Sequence, residues 1–157
     1  MARSTRRRLR VGDVLALPTS HGMAYAQCTQ INEMFGHLLR ILSGFHSVPQ
    51  SDPCSLLVGD VRYCVFFLWD ESYGSEQIRV TAHCSVPTCW STMPLFKDGI
   101  RDAHTGKVHN WWLWDGSREW KIDVLDDDHK DLSPRAIWNC ALLLKRLESN
   151  WQPRDET

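Results

Sequence analysis

The stretch Val61–Trp69, reading VRYCVFFLW, limits what this 157-residue chain can fold into more than any other segment. Side chains on a strand point alternately to its two faces, so a run that is apolar on both faces toward its end needs cover on both sides. It reads as a central strand with a packed layer above it and another below.

The neighbouring segments supply strands around it. Val14–Pro18 and Ala24–Ile31 flank a turn at Ser20–His21–Gly22 and read as an opening hairpin. His37–Phe45 is a third strand, and Ser47–Pro53, with two prolines, is a loop. Asp70–Ser75 carries turn residues. From Gln77 to Val86, Ile78, Val80, Ala82 and Cys84 alternate with Arg79, Thr81, His83 and Ser85, the pattern of a half-buried strand.

His109–Val124 (HNWWLWDGSREWKIDV) predicts a hairpin turning at Asp115–Gly116, a residue pair suited to a type I′ turn. Trp111 and Leu113 fall on one face of its first arm, Trp112 and Trp114 on the other, and Trp120, Ile122 and Val124 return on the second arm. Aromatic residues on both faces mean that one set packs under the helix or is offered to a partner.

A helix is predicted over about 134–150, with Ser133 as N-cap and Pro134 in the first turn, where a missing N–H costs nothing. Ile137, Trp138, Ala141, Leu142, Leu144, Leu147 and Trp151 form its apolar stripe, and Lys145, Arg146 and Glu148 its wet side. The acidic run Asp126–Asp128 and Asp131 reads as a solvated loop. The expected fold is therefore mainly β (α+β): an antiparallel SH3-like partly open barrel or twisted sheet, with one C-terminal α-helix packed on it. Residues 1–10 form a basic flexible arm and 11–151 a single domain.

Net charge is −1, so the chain as a whole is not built for nucleic acid. Five of the 18 basic residues, Arg3, Arg6, Arg7, Arg8 and Arg10, crowd the first ten positions. Such an arm can contact phosphates or simply solvate a terminus. No apolar run reaches the roughly 20 residues of a membrane helix. The apolar stretch after the arginines is broken by Gly12–Asp13 and stopped by Pro18, too short for a signal sequence, so a cytoplasmic location is expected. In that compartment Cys28, Cys54, Cys64, Cys84, Cys89 and Cys140 read as reduced thiols. Cys84, Cys89 and His83 lack a second ligand pair, so no metal site is expected.

Phosphate-binding glycine loops and the nucleophile elbow are missing, and no cofactor is implied. His104, Lys107 and His109 lie in a turn-like stretch with Thr105–Gly106; two imidazoles beside an ammonium are the residue types that acid–base chemistry on RNA needs. Solvent-exposed side chains at a hairpin tip are the structural alternative.

Three groups of motifs resemble the immunity protein 26 family. The opening Val11–Gly12–Asp13–Val14–Leu15–Ala16–Leu17–Pro18 with Tyr25–Ala26 looks like that family's start. Pro94–Gly99 followed by Trp111–Gly116 is similar to its closing hairpin, and Leu132–Ser133–Pro134 with Ile137–Trp138–Asn139 to its end. The resemblance spans roughly residues 11–150. It implies a mainly β, non-catalytic bacterial protein that binds and neutralises a cognate toxin of a polymorphic toxin system.

On that reading the expected contacts are Trp112, Trp114 and Asp115 on the hairpin, with Asp98 and Asp102 adding negative charge against a basic partner. The alternative is an SH3-like RNA-binding or RNA-cleaving protein that uses the arginine arm and the His104/Lys107/His109 turn. Gly-Asp-Val openings also begin barrels of that kind.

Overall fold

A computed structural model describes residues 8–69 and 77–157. Residues 1–7 of the basic arm and the Asp70–Ser75 turn lie outside the described residues. The strands come in the order β1 (Asp13–Thr19), β2 (Gly22–Asn32), β3 (Gly36–Leu42), β4 (Val61–Phe67), β5 (Arg79–His83), β6 (Phe96–Arg101), β7 (Val108–Trp114) and β8 (Glu119–Ile122). A short helix α1 (Asp127–Lys130), a two-residue strand β9 (Ile137–Trp138) and the helix α2 (Cys140–Glu148) follow.

These strands form two open sheets and no barrel. One has the order β5-β1-β2-β3-β4-β9 and the other β6-β7-β8. Every pairing is antiparallel except β4 with β9. The molecule is mainly β with a short C-terminal helix. No helix among the described residues is long and apolar enough to cross a membrane.

Strand β4 lies between two strands, as its apolar pattern requires. Tyr63, Val65 and Phe67 join the cluster formed with Leu15, Leu17, Leu39, Ile41, Leu143 and Leu147 under α2. Cys64 and Phe66 join Leu38, Phe96 and Trp114 on the opposite side, where the three-stranded sheet packs. A third cluster, with Val14, Tyr25, Leu57 and Trp90, fills the same side nearer β1. Fully burying a residue such as Phe66 or Phe67 contributes roughly 1.5–3 kcal/mol.

The predicted helix starts late. Asn139, not Ser133, is the cap, and its Oδ1 accepts from the Leu142 N–H at 2.8 Å. Ser133 is occupied elsewhere: its hydroxyl accepts from the Cys64 N–H at 2.8 Å and its carbonyl from the Lys97 N–H at 3.0 Å. Ile137 and Trp138 extend alongside Phe66 and Phe67, and the Trp138 carbonyl accepts from the Leu68 N–H. Satisfying the outer edge of β4 outweighs continuing the helix toward its N-terminus. Arg146 is also not on the wet side; its guanidinium lies 4.3 Å from the ring centres of both Trp138 and Trp151.

Two further expectations change. Asp127–Lys130 is helical rather than loop, capped by Asp126, which accepts from the His129 N–H. The folded body also exceeds residues 11–151, because Leu9 and Pro153 are buried.

Buried polar side chains clip the loops to the sheet. Gln27 and Arg40 are cross-strand partners on β2 and β3. The Gln27 amide donates to the Gly12 and Cys84 carbonyls, and Arg40 to the Trp90 and Thr92 carbonyls. They hold the 84–92 connection, which would otherwise carry unpaired buried carbonyls.

Cys84 on that connection is joined to Cys54 by a disulfide, with Cα atoms 5.8 Å apart. This corrects the expectation of six reduced thiols. The 3₁₀ turn Pro53–Val58 folds against the end of β5, a proximity that a separation of 30 residues hides. Cys28, Cys64, Cys89 and Cys140 are free thiols, and burial pushes Cys28 up to about 12 and Cys64 up to about 11.

Lys97 ties the smaller sheet to the C-terminus. It is fully buried, and its ammonium donates to the carbonyls of Lys130, Pro153 and Glu156 at 2.7–2.8 Å. Burial lowers its pKa to about 8, while the Glu156 and Asp131 carboxylates hold the charge on.

Two predictions follow from these clamps. Reducing the Cys54–Cys84 bond, or replacing Cys54 by Ser, lowers unfolding stability by roughly 3–4 kcal/mol in urea titrations, the loop-closure value for this separation. Lys97→Met takes a donor from the carbonyls of Lys130, Pro153 and Glu156, of which Pro153 keeps the Glu156 N–H, and costs a few kcal/mol, at about 1–3 kcal/mol per unsatisfied group. The unfolded Lys97 keeps its proton up to the ordinary lysine range and the folded one only to about 8. Between those pH values the unfolded state binds more protons, so this group's contribution to stability rises with pH and is smallest below 8. Titrations of wild type and Lys97→Met across that window measure it: the gap between them widens as pH rises.

Candidate functional site

The three-stranded sheet carries most of the residues singled out in the sequence, and its register decides what each one does. Asp98, Trp112 and Lys121 are cross-strand partners in one row, and Phe96, Trp114 and Glu119 in another. Both rows project from the same face, because they lie two residues apart along each strand. The intervening rows, Lys97–Leu113–Trp120 and Gly99–Trp111–Ile122, take the opposite face.

Trp114 is core. Its ring sits 5.2 Å from Phe35, 5.7 Å from Phe96 and 5.9 Å from Phe66, and it is 8% exposed. It anchors this sheet to the larger one and is not offered to a partner. Trp111 and Leu113 are buried on the other face. Gly99 is needed opposite Trp111: a Cβ there would come within 2.9 Å of the indole and 2.4 Å of Val108. The aromatic residues therefore do not divide into one packed and one offered face.

Trp112 is only half-buried. It is on the central strand, two residues beyond the contact with the larger sheet. Asp98 is beside it on β6 and Lys121 on β8, whose ammonium lies 6.0 Å from the indole centre. Ile100, one of the exposed large apolar side chains, stands two residues further along β6 on the same face. Arg135 closes the inner end. Its guanidinium lies 5.2 Å from the Trp114 ring centre and 5.7 Å from that of Phe35, while pairing with Asp98 and Glu119. An aromatic centre thus has a carboxylate on one side, an ammonium on the other and an ordered ion-pair cluster behind it. Beyond it, β8 is an edge strand with no further strand beside it among the described residues, and Trp120 is exposed there.

The other acidic residues shape turns. Asp102 accepts from the N–H groups of His104 at 2.7 Å and Thr105 at 2.9 Å. Asp115 accepts from Ser117 at 2.9 Å and Arg118 at 2.7 Å. Thr105 and His104 hold the Asp102 carboxyl below its usual range, and Arg118 and Ser117 do the same for Asp115. The expected two-residue type I′ turn is corrected to a four-residue connection. Trp114 pairs with Glu119, and Gly116 is the only residue within it at positive φ. The Asp115 carboxylate replaces the tighter turn by binding two successive amides.

His104 and Lys107 are exposed on the β6–β7 turn and His109 at the start of β7, and no hydrogen bond links their side chains among the described residues. They do not form an assembled acid–base pair. His83 and Cys84, considered together as metal ligands in the sequence, are engaged separately. His83 Nδ1 lies 2.9 Å from the buried Asp13 carboxylate, and Cys84 is in the disulfide. Lys121 and Arg135 were missed by sequence reasoning. Only the registers of β8 and of the 133–135 segment bring them to Trp112 and Asp98.

No model of a known protein family, no curated protein and no solved structure matches the chain.

The division between Trp114 and Trp112 is measurable. Trp114→Ala costs about 3–5 kcal/mol of stability, the range for deleting a buried tryptophan. Trp112→Ala costs no more than about 1 kcal/mol, as for a surface substitution. Chemical unfolding of the two variants compares them directly.

Proposed function

We propose that this chain is a non-catalytic binding protein whose partner surface is the part of the β6–β7–β8 sheet that extends beyond its contact with the larger sheet, and that it serves as an immunity protein neutralising a cognate toxin. The observation that carries the binding reading is the row Asp98–Trp112–Lys121. A half-exposed indole on a rigid central strand, flanked by opposite charges, has the composition of an interface hot spot. The strand fixes its backbone, so little conformational entropy remains to be lost on docking.

The toxin-binding role rests on the resemblance of the Gly12–Asp13–Val14 opening and the Trp111–Gly116 hairpin to immunity protein 26 sequences. Trp112 is the central anchor in this reading. Asp98 and Lys121 set orientation, and the Asp102 and Asp115 carboxylates, at opposite ends of β7, add rim charge that speeds encounter with a basic partner. Trp114, beside Trp112 on the same face, anchors the sheet that carries the surface. An interface centred here needs about 800 Å² per partner to be stable.

The test uses the intact chain with the product of a toxin reading frame beside its own. A stoichiometric complex free of nucleic acid, together with loss of toxin activity, is expected. Trp112→Ala should weaken binding by at least about 30-fold, the equivalent of a 2 kcal/mol hot spot, with the melting transition retained. Unchanged capture by Trp112→Ala would remove this face from the interface. Co-purifying RNA that is released by salt, and lost on deleting residues 1–10, would replace the proposal with the nucleic-acid reading.

A further inference from the structure

The larger sheet carries a separate feature that the hairpin face does not use. A trough of about 490 Å³ crosses β5, β1 and β2 on the side facing away from α2. That volume lies within the roughly 300–1,000 Å³ typical of small-molecule sites.

Strand register explains why the trough exists. Ala16 pairs with Tyr25 on one side and Arg79 on the other, and Pro18 pairs with Met23. A methyl group therefore stands between two large side chains, leaving a low floor bordered by apolar Pro18, Met23 and Tyr25. Pro49 and Gln50 form the far wall. That loop is fixed over the sheet by the Gln50 N–H, which donates to Tyr25 Oη at 2.7 Å, and by the bridge between Met23 and His46. The near wall is β5, with Arg79 and Thr81.

The polar groups in this trough are one-sided. Among the described residues, Arg79 is the only one of formal charge in its lining, and no carboxylate of those residues lines it. The guanidinium makes no hydrogen bond or ion pair among the described residues. Tyr25 Oη already accepts from Gln50, so its remaining capacity toward the trough includes donation of its own proton. An apolar floor with a guanidinium at its open side and a phenol at its inner wall suits one ligand chemistry: a carboxylate on a hydrocarbon body. Arginine is the side chain best shaped to hold a carboxylate through two parallel N–H donors.

We propose that this trough is a binding site for a small organic acid, with its apolar body on Ala16, Pro18 and Met23 and its carboxylate on Arg79. Tyr25 orients the acid from the opposite wall. The site is independent of the toxin-binding surface, which lies on the other sheet, so either can fail without the other.

The experiment compares three probes of equal length on the intact chain: octanoate, 1-octanol and octylammonium. Amide shift changes in NMR titrations report both affinity and place. Octanoate should bind saturably, about tenfold or more tighter than octanol, with shifts at Gln50 and Thr81 and with octylammonium weakest. Arg79→Gln, a surface substitution that keeps the strand, should bring octanoate to the level of octanol and leave octanol unchanged. Ala16→Phe, if folded by its amide spectrum, should abolish both. Equal binding of octanoate and octanol, no saturable octanoate binding, or octanoate affinity unaffected by Arg79→Gln would each overturn the proposal.

Discussion

Phe66 and Phe67 stand next to each other on β4 and enter different cores, one beneath the small sheet and the other beneath α2. A strand in that position cannot be satisfied by a single layer. The six-stranded sheet is therefore a shared wall, and everything added after it in the chain exists to cover one of its two sides. β6, β7 and β8 cover the Phe66 side, α2 covers the Phe67 side, and β9 extends the wall along the edge of β4. The chain crosses between them through Ser133–Arg135, whose backbone pairs with Lys97 and whose serine hydroxyl takes the Cys64 amide proton.

Covering both sides creates buried polar obligations, and the molecule meets them with long side chains. Gln27 and Arg40 reach out of the sheet to hold the 84–92 connection, and Lys97 gathers carbonyls from α1 and the C-terminal turn. Each places a donor where backbone carbonyls would otherwise lose water without replacement. Where the covering stops, surface becomes available: Trp112 lies two residues beyond Trp114 at the rim of one cover, and the Ala16 trough lies beside the 47–53 loop, beyond another. Both candidate sites are thus the margins of packed layers, where apolar side chains meet charged ones.

Strand positions were legible because the alternation of apolar and polar residues is local. The opening hairpin and the two-faced nature of Val61–Phe67 emerge close to where they were expected. The alternation over Gln77–Val86 instead yields only β5 (Arg79–His83), and an irregular register sends Ile78 and Val80 to the α2 side but Ala82 and Cys84 to the other. The helix start was not legible. Ser133–Pro134 is a good local start signal, and only the empty edge of β4 and the Cys64 amide proton divert it. The hairpin turn misled for a similar reason: Asp115–Gly116 fits a two-residue turn, yet the Asp115 carboxylate binding Ser117 and Arg118 stabilises a longer one.

The candidate site was half legible. Trp112, Asp98 and the exposed His104/Lys107/His109 turn could be selected by residue type, but not Lys121 or Arg135, which come from distant positions. Trp112 and Trp114 are indistinguishable in the sequence, two alike residues on the same face of the same strand. The sequence alone determined the strand periodicity, the need for cover on both sides of β4 and the face each hairpin residue takes, because a pleated strand fixes these through neighbours along the chain. Only the tertiary structure decided how far the cover extends, and so which tryptophan is core and which is half-buried at its rim. It also decided which cysteines meet, because contact between remote segments depends on their packing and not on their spacing.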